Sequence, residues 1–231
     1  MYLVHGLLGT AYAHFGAQIT GWRGRYQVVP VDMPGHGRCP VAAGEPYLVG
    51  ALDYLTAVVR RFGPGRVIGA SYLGGPLAVR LAAARPDLVD SLVLTGFAPG
   101  LAEDVFLRWV AGFQLLAERG TELAAEYDRL HGPGWRGTLL AFTADVGRAY
   151  RQRAEVRPES LGALEMDVLI VNGSLKSVER AAAAGAHTFG PNVSGLVIEG
   201  AGHIASHDAP AAFNRAVERF WDRRSRHDRT A

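Results

Sequence analysis

Short, nearly unbroken apolar runs alternate along this chain with longer stretches whose apolar residues recur every three to four positions. The runs at 2–5, 26–31, 66–69, 91–95, 168–171 and 195–199 are rich in Val, Ile and Leu. Continuous apolar character is what a strand needs when both faces of a parallel sheet are covered. Helical periodicity fills 47–62, 74–84, 177–186 and 209–224. In the last of these, Ala212, Phe213, Ala216, Val217, Phe220 and Trp221 share one face. The alternation predicts an α/β fold, a mostly parallel, doubly wound sheet of about six strands.

One stretch interrupts it. Residues 104–118, 122–130 and 139–152 are helical in pattern with no strand between them, and His131-Gly132-Pro133-Gly134 breaks the run. That is too much helix for an ordinary crossover. It predicts a helical cap over 99–161, inserted into a core made of 1–98 and 162–231.

The 231 residues suit one domain with such an insertion. A single cysteine, Cys39, excludes an internal disulfide and a Cys-based metal site, so a reducing, cytoplasmic setting is expected. MYLVHGLLG does not read as a secretory signal. No apolar run reaches the ~18 residues of a membrane span. The net charge of +2 carries no nucleic-acid footprint, and the basic C-terminal RRSRHDRT reads as a solvated tail. The eight His lack metal-ligand spacing, and no phosphate-cradling Gly loop follows a strand, so neither metal nor nucleotide cofactor is expected. No motif sets an oligomeric state. The chain has 23 Arg and one Lys, Lys176, an imbalance that matches a GC-rich genome.

Four segments, each at the C-terminal end of a predicted strand, carry candidate chemistry; open α/β sheets bind ligands at that edge. In Gly69-Ala70-Ser71-Tyr72-Leu73-Gly74-Gly75, a strand–Ser–helix turn would expose the Ser71 oxygen and aim the Tyr72 N–H at a nascent oxyanion. An idle Ser in a Gly-rich turn is the plain alternative. In Val4-His5-Gly6-Leu7, glycine permits close backbone approach, which makes the Leu7 N–H a candidate second oxyanion donor, an ordinary Gly-containing βα loop being the plain alternative; His5 reads as a structural histidine bonded to nearby backbone. Asp32-Met33-Pro34-Gly35-His36-Gly37 reads as a turn whose Asp32 and His36 fix the loop, with Cys39 inert beside it. In Glu199-Gly200-Ala201-Gly202-His203, a histidine in a Gly-rich loop is placed to serve Ser71 as general base.

In this order, the HG loop, the D-x-x-G-H-G turn, the elbow, the Pro86-Asp87-Leu88-Val89 run and Gly202-His203 resemble the α/β-hydrolase superfamily, over nearly the whole chain. The resemblance implies a Ser71 nucleophile, a His203 base, an oxyanion hole from the Leu7 and Tyr72 amides, and a substrate pocket under the cap. It implies a small-molecule substrate: a small, mostly apolar ester, lactone or related carbonyl compound. Of the cap aromatics Phe106, Trp109, Phe113, Trp135 and Phe142, the resemblance makes Trp109, Phe113 and Trp135 candidate pocket walls; plain cap-to-core packing is the alternative.

Three features depart from the family pattern. The turn that usually carries the triad acid reads Gly173-Ser174-Leu175-Lys176, with the only lysine where a carboxylate is expected. An inward cation there would oppose the imidazolium that forms during attack. Glu103, Asp104 and Glu179 are the nearest carboxylates in sequence, none at a pattern position, so the triad acid stays unassigned. Two other readings follow from that gap: a non-hydrolytic enzyme (cyclisation, elimination or C–C bond chemistry) or a ligand-binding protein on the same fold. Second, Leu73 stands where the elbow usually has a small residue; either Gly74 takes that role one position later or the turn is relaxed. Third, the family usually has two strands before the HG strand, so a core lacking them is expected, with the second strand of this chain at an exposed edge.

Overall fold

The structure, a computed structural model, describes residues 1–118 and 122–227. Six parallel strands form one open sheet in the order β2-β1-β3-β4-β5-β6. They are β1 (Tyr2–Val4), β2 (Val29–Val31), β3 (Gly65–Ala70), β4 (Val89–Thr95), β5 (Val168–Gly173) and β6 (Val193–Ile198). Each lies within three residues of its expected bounds. β2 is an edge, as expected, and it carries Pro30, which has no N–H to offer a neighbour.

The pleat sorts side chains to two faces. Leu3, Ile68, Ala70, Val93, Leu169 and Val171 pack on one side with Phe15, Ile19, Phe213, Val217 and Trp221. Those partners come from α1 (Ala11–Trp22) and α10 (Pro210–His227). Tyr2, Val4, Val67, Leu92, Leu94 and Ile170 face the other way, toward α2 (Tyr47–Phe62) and α3 (Ser71–Ala84). Burial on both faces is why the strands read as unbroken apolar runs.

α1 was not among the elements expected from the pattern. Thr10 caps it, accepting the Ala13 N–H at 3.0 Å, and Ala11, Phe15, Ile19 and Trp22 are buried. Phe15 itself departs from helical geometry (φ −133°), and this kink breaks the regular face that periodicity relies on.

Between β4 and β5 run α4 (Glu103–Glu118), α5 (Glu122–His131), α6 (Trp135–Arg153) and α7 (Pro158–Gly162). The His131–Gly134 breaker separates α5 from α6, as expected. Phe106 and Val110 of α4 and Phe142, Val146 and Tyr150 of α6 join the core on the α2–α3 side. α8 (Ser177–Ala184) and the short α9 (Ala205–Asp208) follow β5 and β6. α10 runs to His227, past the expected end at 224; residues 228–231 of the expected basic tail lie outside the described residues.

Candidate active site

β3 ends at Ala70, and the next residue turns sharply into α3. Ser71 makes that turn with φ +55°, a left-handed conformation that costs a non-glycine residue about 1 kcal/mol or more. Its side chain is held at the sheet's C-terminal edge. Gly74, not Leu73, supplies the close approach: a Cβ on Gly74 would lie 2.4 Å from the Val4 carbonyl oxygen and 2.6 Å from that of His5. Leu73 turns into the core instead and is fully buried. The elbow is therefore tight, with the small residue one position later.

Ser71 Oγ lies 2.9 Å from His203 Nε2, and His203 Nδ1 lies 2.7 Å from Glu179 Oε1. A carboxylate only accepts, so Nδ1 carries the ring proton, and Nε2 is left to accept the Ser71 O–H. Glu179 sits in the first turn of α8 and is 4% exposed; its second oxygen is buried with no partner among the described residues. A buried carboxylate is costly unless paired. Its one hydrogen-bond partner among the described residues is the imidazole, so it gains most when that ring becomes positive.

Lys176 takes no part in this chain of hydrogen bonds. It stands at the N-cap position of α8, exposed at the rim of the cavity, while Glu179 lies three residues further on. Of the other two carboxylates near in sequence, Asp104 pairs with Arg108 at 2.7 Å and Glu103 with Arg151 at 3.4 Å. Buried Asn172, near the end of β5, positions the α8 backbone: its Nδ2 donates to the Glu179 carbonyl (2.7 Å) and the Phe97 carbonyl (2.8 Å), while its Oδ1 accepts the Phe97 N–H (3.2 Å). Sequence reasoning passed over this asparagine. A polar residue closing an apolar run was the available signal.

The His203 loop is tied down on both flanks. The Gly202 N–H donates to Asp208 Oδ2 at 2.8 Å, and the Gly200 N–H to Ser174 Oγ at 2.9 Å. The Tyr72 ring stacks parallel to the His203 ring, 6.3 Å between centroids. Burial and the Glu179 carboxylate push the Tyr72 phenol up from its usual range.

The HG loop packs on the elbow. A Cβ on Gly6 would lie 2.6 Å from Ser71 Cβ, so only glycine fits. Its backbone groups are shared among histidines. His5 Nδ1–H donates to the Gly6 carbonyl (2.7 Å), and His5 Nε2 accepts the Met33 N–H (2.9 Å). His14 Nδ1 accepts the Gly6 N–H (3.1 Å), and His36 Nε2 accepts the Leu8 N–H (3.1 Å). Asp32 accepts from the Ala11 N–H (2.8 Å) and the Arg38 N–H (3.0 Å). His5, Asp32 and His36 thus bond the backbone of these loops, as expected. Burial is the main cause that lowers His14 and His36, each to about 4, so both rings are neutral acceptors at neutral pH. Among the described residues the Leu7 N–H has no hydrogen-bond partner. Tyr72 is the second residue of α3, where a backbone N–H has no intrahelical acceptor.

A cavity of about 730 Å³ opens over Ser71 and His203. Tyr72, Phe106, Trp109, Phe113, Tyr127 and Phe142 make its walls aromatic, with Arg108, Glu126 and Lys176 also on its lining. Of the three candidate wall residues, Trp109 and Phe113 line this cavity. Trp135 does not: it is buried with Leu8, Ala124 and Leu139, and its Nε1–H donates to Asp128 at 2.7 Å. A buried indole needs a partner for its N–H, and Asp128, seven residues back, provides one in the joint between α5 and α6.

Residues 1–216 match the alpha/beta hydrolase family. The pimeloyl-[acyl-carrier protein] methyl ester esterase of Neisseria meningitidis serogroup C is 28% identical over 200 residues, covering 77% of this chain and 75% of that protein. The crystal structure of NosK from Streptomyces actuosus is 59% identical with a TM-score of 0.94, covering 96% of both chains. A thermophilic esterase from Thermogutta terrifontis shares the fold at 18% identity and a TM-score of 0.70, covering 96% of this chain and 89% of its own. The chain belongs to the alpha/beta hydrolase family, and it is a hydrolase of that superfamily.

Proposed function

We propose that this hydrolase cleaves a small, mostly apolar ester or lactone through an acyl-enzyme on Ser71. The observation that carries the reading is the unbroken chain from Ser71 Oγ to His203 Nε2 (2.9 Å) and from His203 Nδ1 to Glu179 Oε1 (2.7 Å). Ser71 Oγ attacks the carbonyl carbon as His203 Nε2 takes its proton. The N–H groups of Leu7 and Tyr72 hold the oxygen that becomes negative. When the tetrahedral intermediate collapses, Nε2 returns the proton to the departing alkoxide. A water, deprotonated by the same nitrogen, then releases the acid and restores Ser71. Glu179 holds the Nδ1–H tautomer and stabilises the imidazolium in both halves.

The α4–α6 insertion acts as the cap, and its aromatic wall holds the apolar part of the substrate. The similar esterase acts, by its name, on a methyl ester, which agrees with ester chemistry in this cavity. The lone free cysteine suits a reducing, cytoplasmic setting. Glu179 on His203, Leu73 in the core and an exposed Lys176 support the hydrolytic reading over a non-hydrolytic or binding-only one. The test is labelling with a fluorophosphonate. Wild type is expected to label on Ser71 and to hydrolyse p-nitrophenyl butyrate, and Ser71→Ala to do neither while keeping its circular dichroism spectrum. Full ester turnover by Ser71→Ala would overturn the reading.

A further inference from the structure

His131, the last residue of α5, reaches from the insertion to the HG loop. Its Nε2–H donates to the Leu8 carbonyl at 3.0 Å, and its Nδ1 accepts the Gly37 N–H at 2.9 Å. The two bonds settle the tautomer, because Gly37 N–H can only donate and the Leu8 carbonyl can only accept. Leu8 needs holding: its φ is +54°, a conformation non-glycine residues keep only when their surroundings impose it. His36 grips its N–H, and its side chain is buried against Ala124 of α5 and Trp135 and Leu139 of α6.

The grip on the Leu8 carbonyl reaches Leu7 through two rigid peptide planes. The Leu8 carbonyl and the Gly9 N–H belong to one planar unit and point in opposite directions. That Gly9 N–H donates to the Gly6 carbonyl at 3.0 Å. The Gly6 carbonyl and the Leu7 N–H belong to a second planar trans unit, so fixing the first aims the second. We propose that His131 is a positioning residue: through the Leu8–Gly9 and Gly6–Leu7 peptides it aims the Leu7 N–H at the oxyanion. This rests on the reading in which Ser71 attacks and Leu7 is an oxyanion donor. The same helix lines the cavity with Leu123, Tyr127 and Leu130, so α5 touches the wall beside the substrate and, with His5 and His36, the loop that aims the amide.

Two amide side chains separate the bonds of His131. A Gln at 131 places an NH2 near the Nε2 position and keeps the bond to Leu8. An Asn places its oxygen near Nδ1 and keeps only the bond to Gly37. With p-nitrophenyl butyrate as probe, His131→Phe and His131→Asn are expected to lose about 10–100-fold in kcat, with KM within about twofold, since a misaimed donor acts on the transition state. His131→Gln is expected to recover kcat to within about threefold of wild type. In 15N spectra the Leu7 amide resonance should shift in the Phe and Asn variants and return in Gln. Equal kcat loss in the Gln and Asn variants, or no loss in either, overturns the proposal, as does an unmoved Leu7 resonance. Ser71→Ala serves as the control: if it still turns over the ester, the catalytic reading fails, whereas the Leu7 resonance still reports on His131.

Discussion

At the scale of single residues, Glu179 and not Lys176 meets the His203 ring. Lys176 occupies the turn where the family places its acid, yet it ends at the rim of the cavity; Glu179, one helical turn on, is buried against His203. A helix rises only about 1.5 Å per residue, so a shift of three residues keeps a side chain near the same place and the longer glutamate covers the rest. Glu179→Gln keeps the volume but removes an acceptor-only partner, and it lets the imidazole turn its proton toward Ser71. Its kcat on p-nitrophenyl butyrate is expected to fall about 10³–10⁴-fold, by analogy with loss of the acid in serine proteases. A fall of less than tenfold, with Tm unchanged, would remove Glu179 from the reaction.

Among the elements, the junction of β1, β3 and α3 sets the geometry. Ser71 takes a left-handed turn because β3 must pass directly into a helix that lies against the end of β1. The contact is made at Gly74, which has no side chain to hold the backbones apart. Gly74→Ala would push a methyl group into the Val4 and His5 carbonyl oxygens, so the helix must shift and carry Ser71 with it. We expect a loss of about 1–3 kcal/mol in urea denaturation, typical of overpacking, together with lower kcat. An alanine variant as stable and active as wild type would show that α3 does not need this approach.

Over the whole molecule, histidines tie the loops at the sheet edge to one another, and His131 ties them to the insertion. His5, His36 and His131 accept backbone N–H groups from loops far away in sequence, and His14 accepts that of nearby Gly6. Burial lowers His14 and His36 to about 4, against about 6.5 in an unfolded chain. Between those values the unfolded chain binds protons that the folded one refuses, so stability falls as pH drops through this window. At pH 5 the loss is about 2 kcal/mol for each of the two histidines. Urea midpoints measured at pH 7.5 and pH 5 should show it, with activity returning on neutralisation. A midpoint that does not move over this range would mean the rings are not held neutral.

The chain alone determined the class of fold, because 3.6-residue periodicity is local and unbroken apolar strands occur where both sheet faces are covered. It also located Ser71, His203, Leu7 and Tyr72 as candidates, since each follows a strand at the sheet's C-terminal edge and that order survives in one dimension. Only the tertiary structure decided the rest. The kink at Phe15 hid α1 from periodicity. Trp135, read as cavity wall, fills the joint between α5 and α6 because burial and the bond to Asp128 depend on how helices pack. Glu179 reaches His203, and His131 reaches Leu8, across 24 and 123 residues of chain. Hydrogen bonds are made within about 3 Å in space, and no spacing along a chain encodes which loops a sheet brings that close.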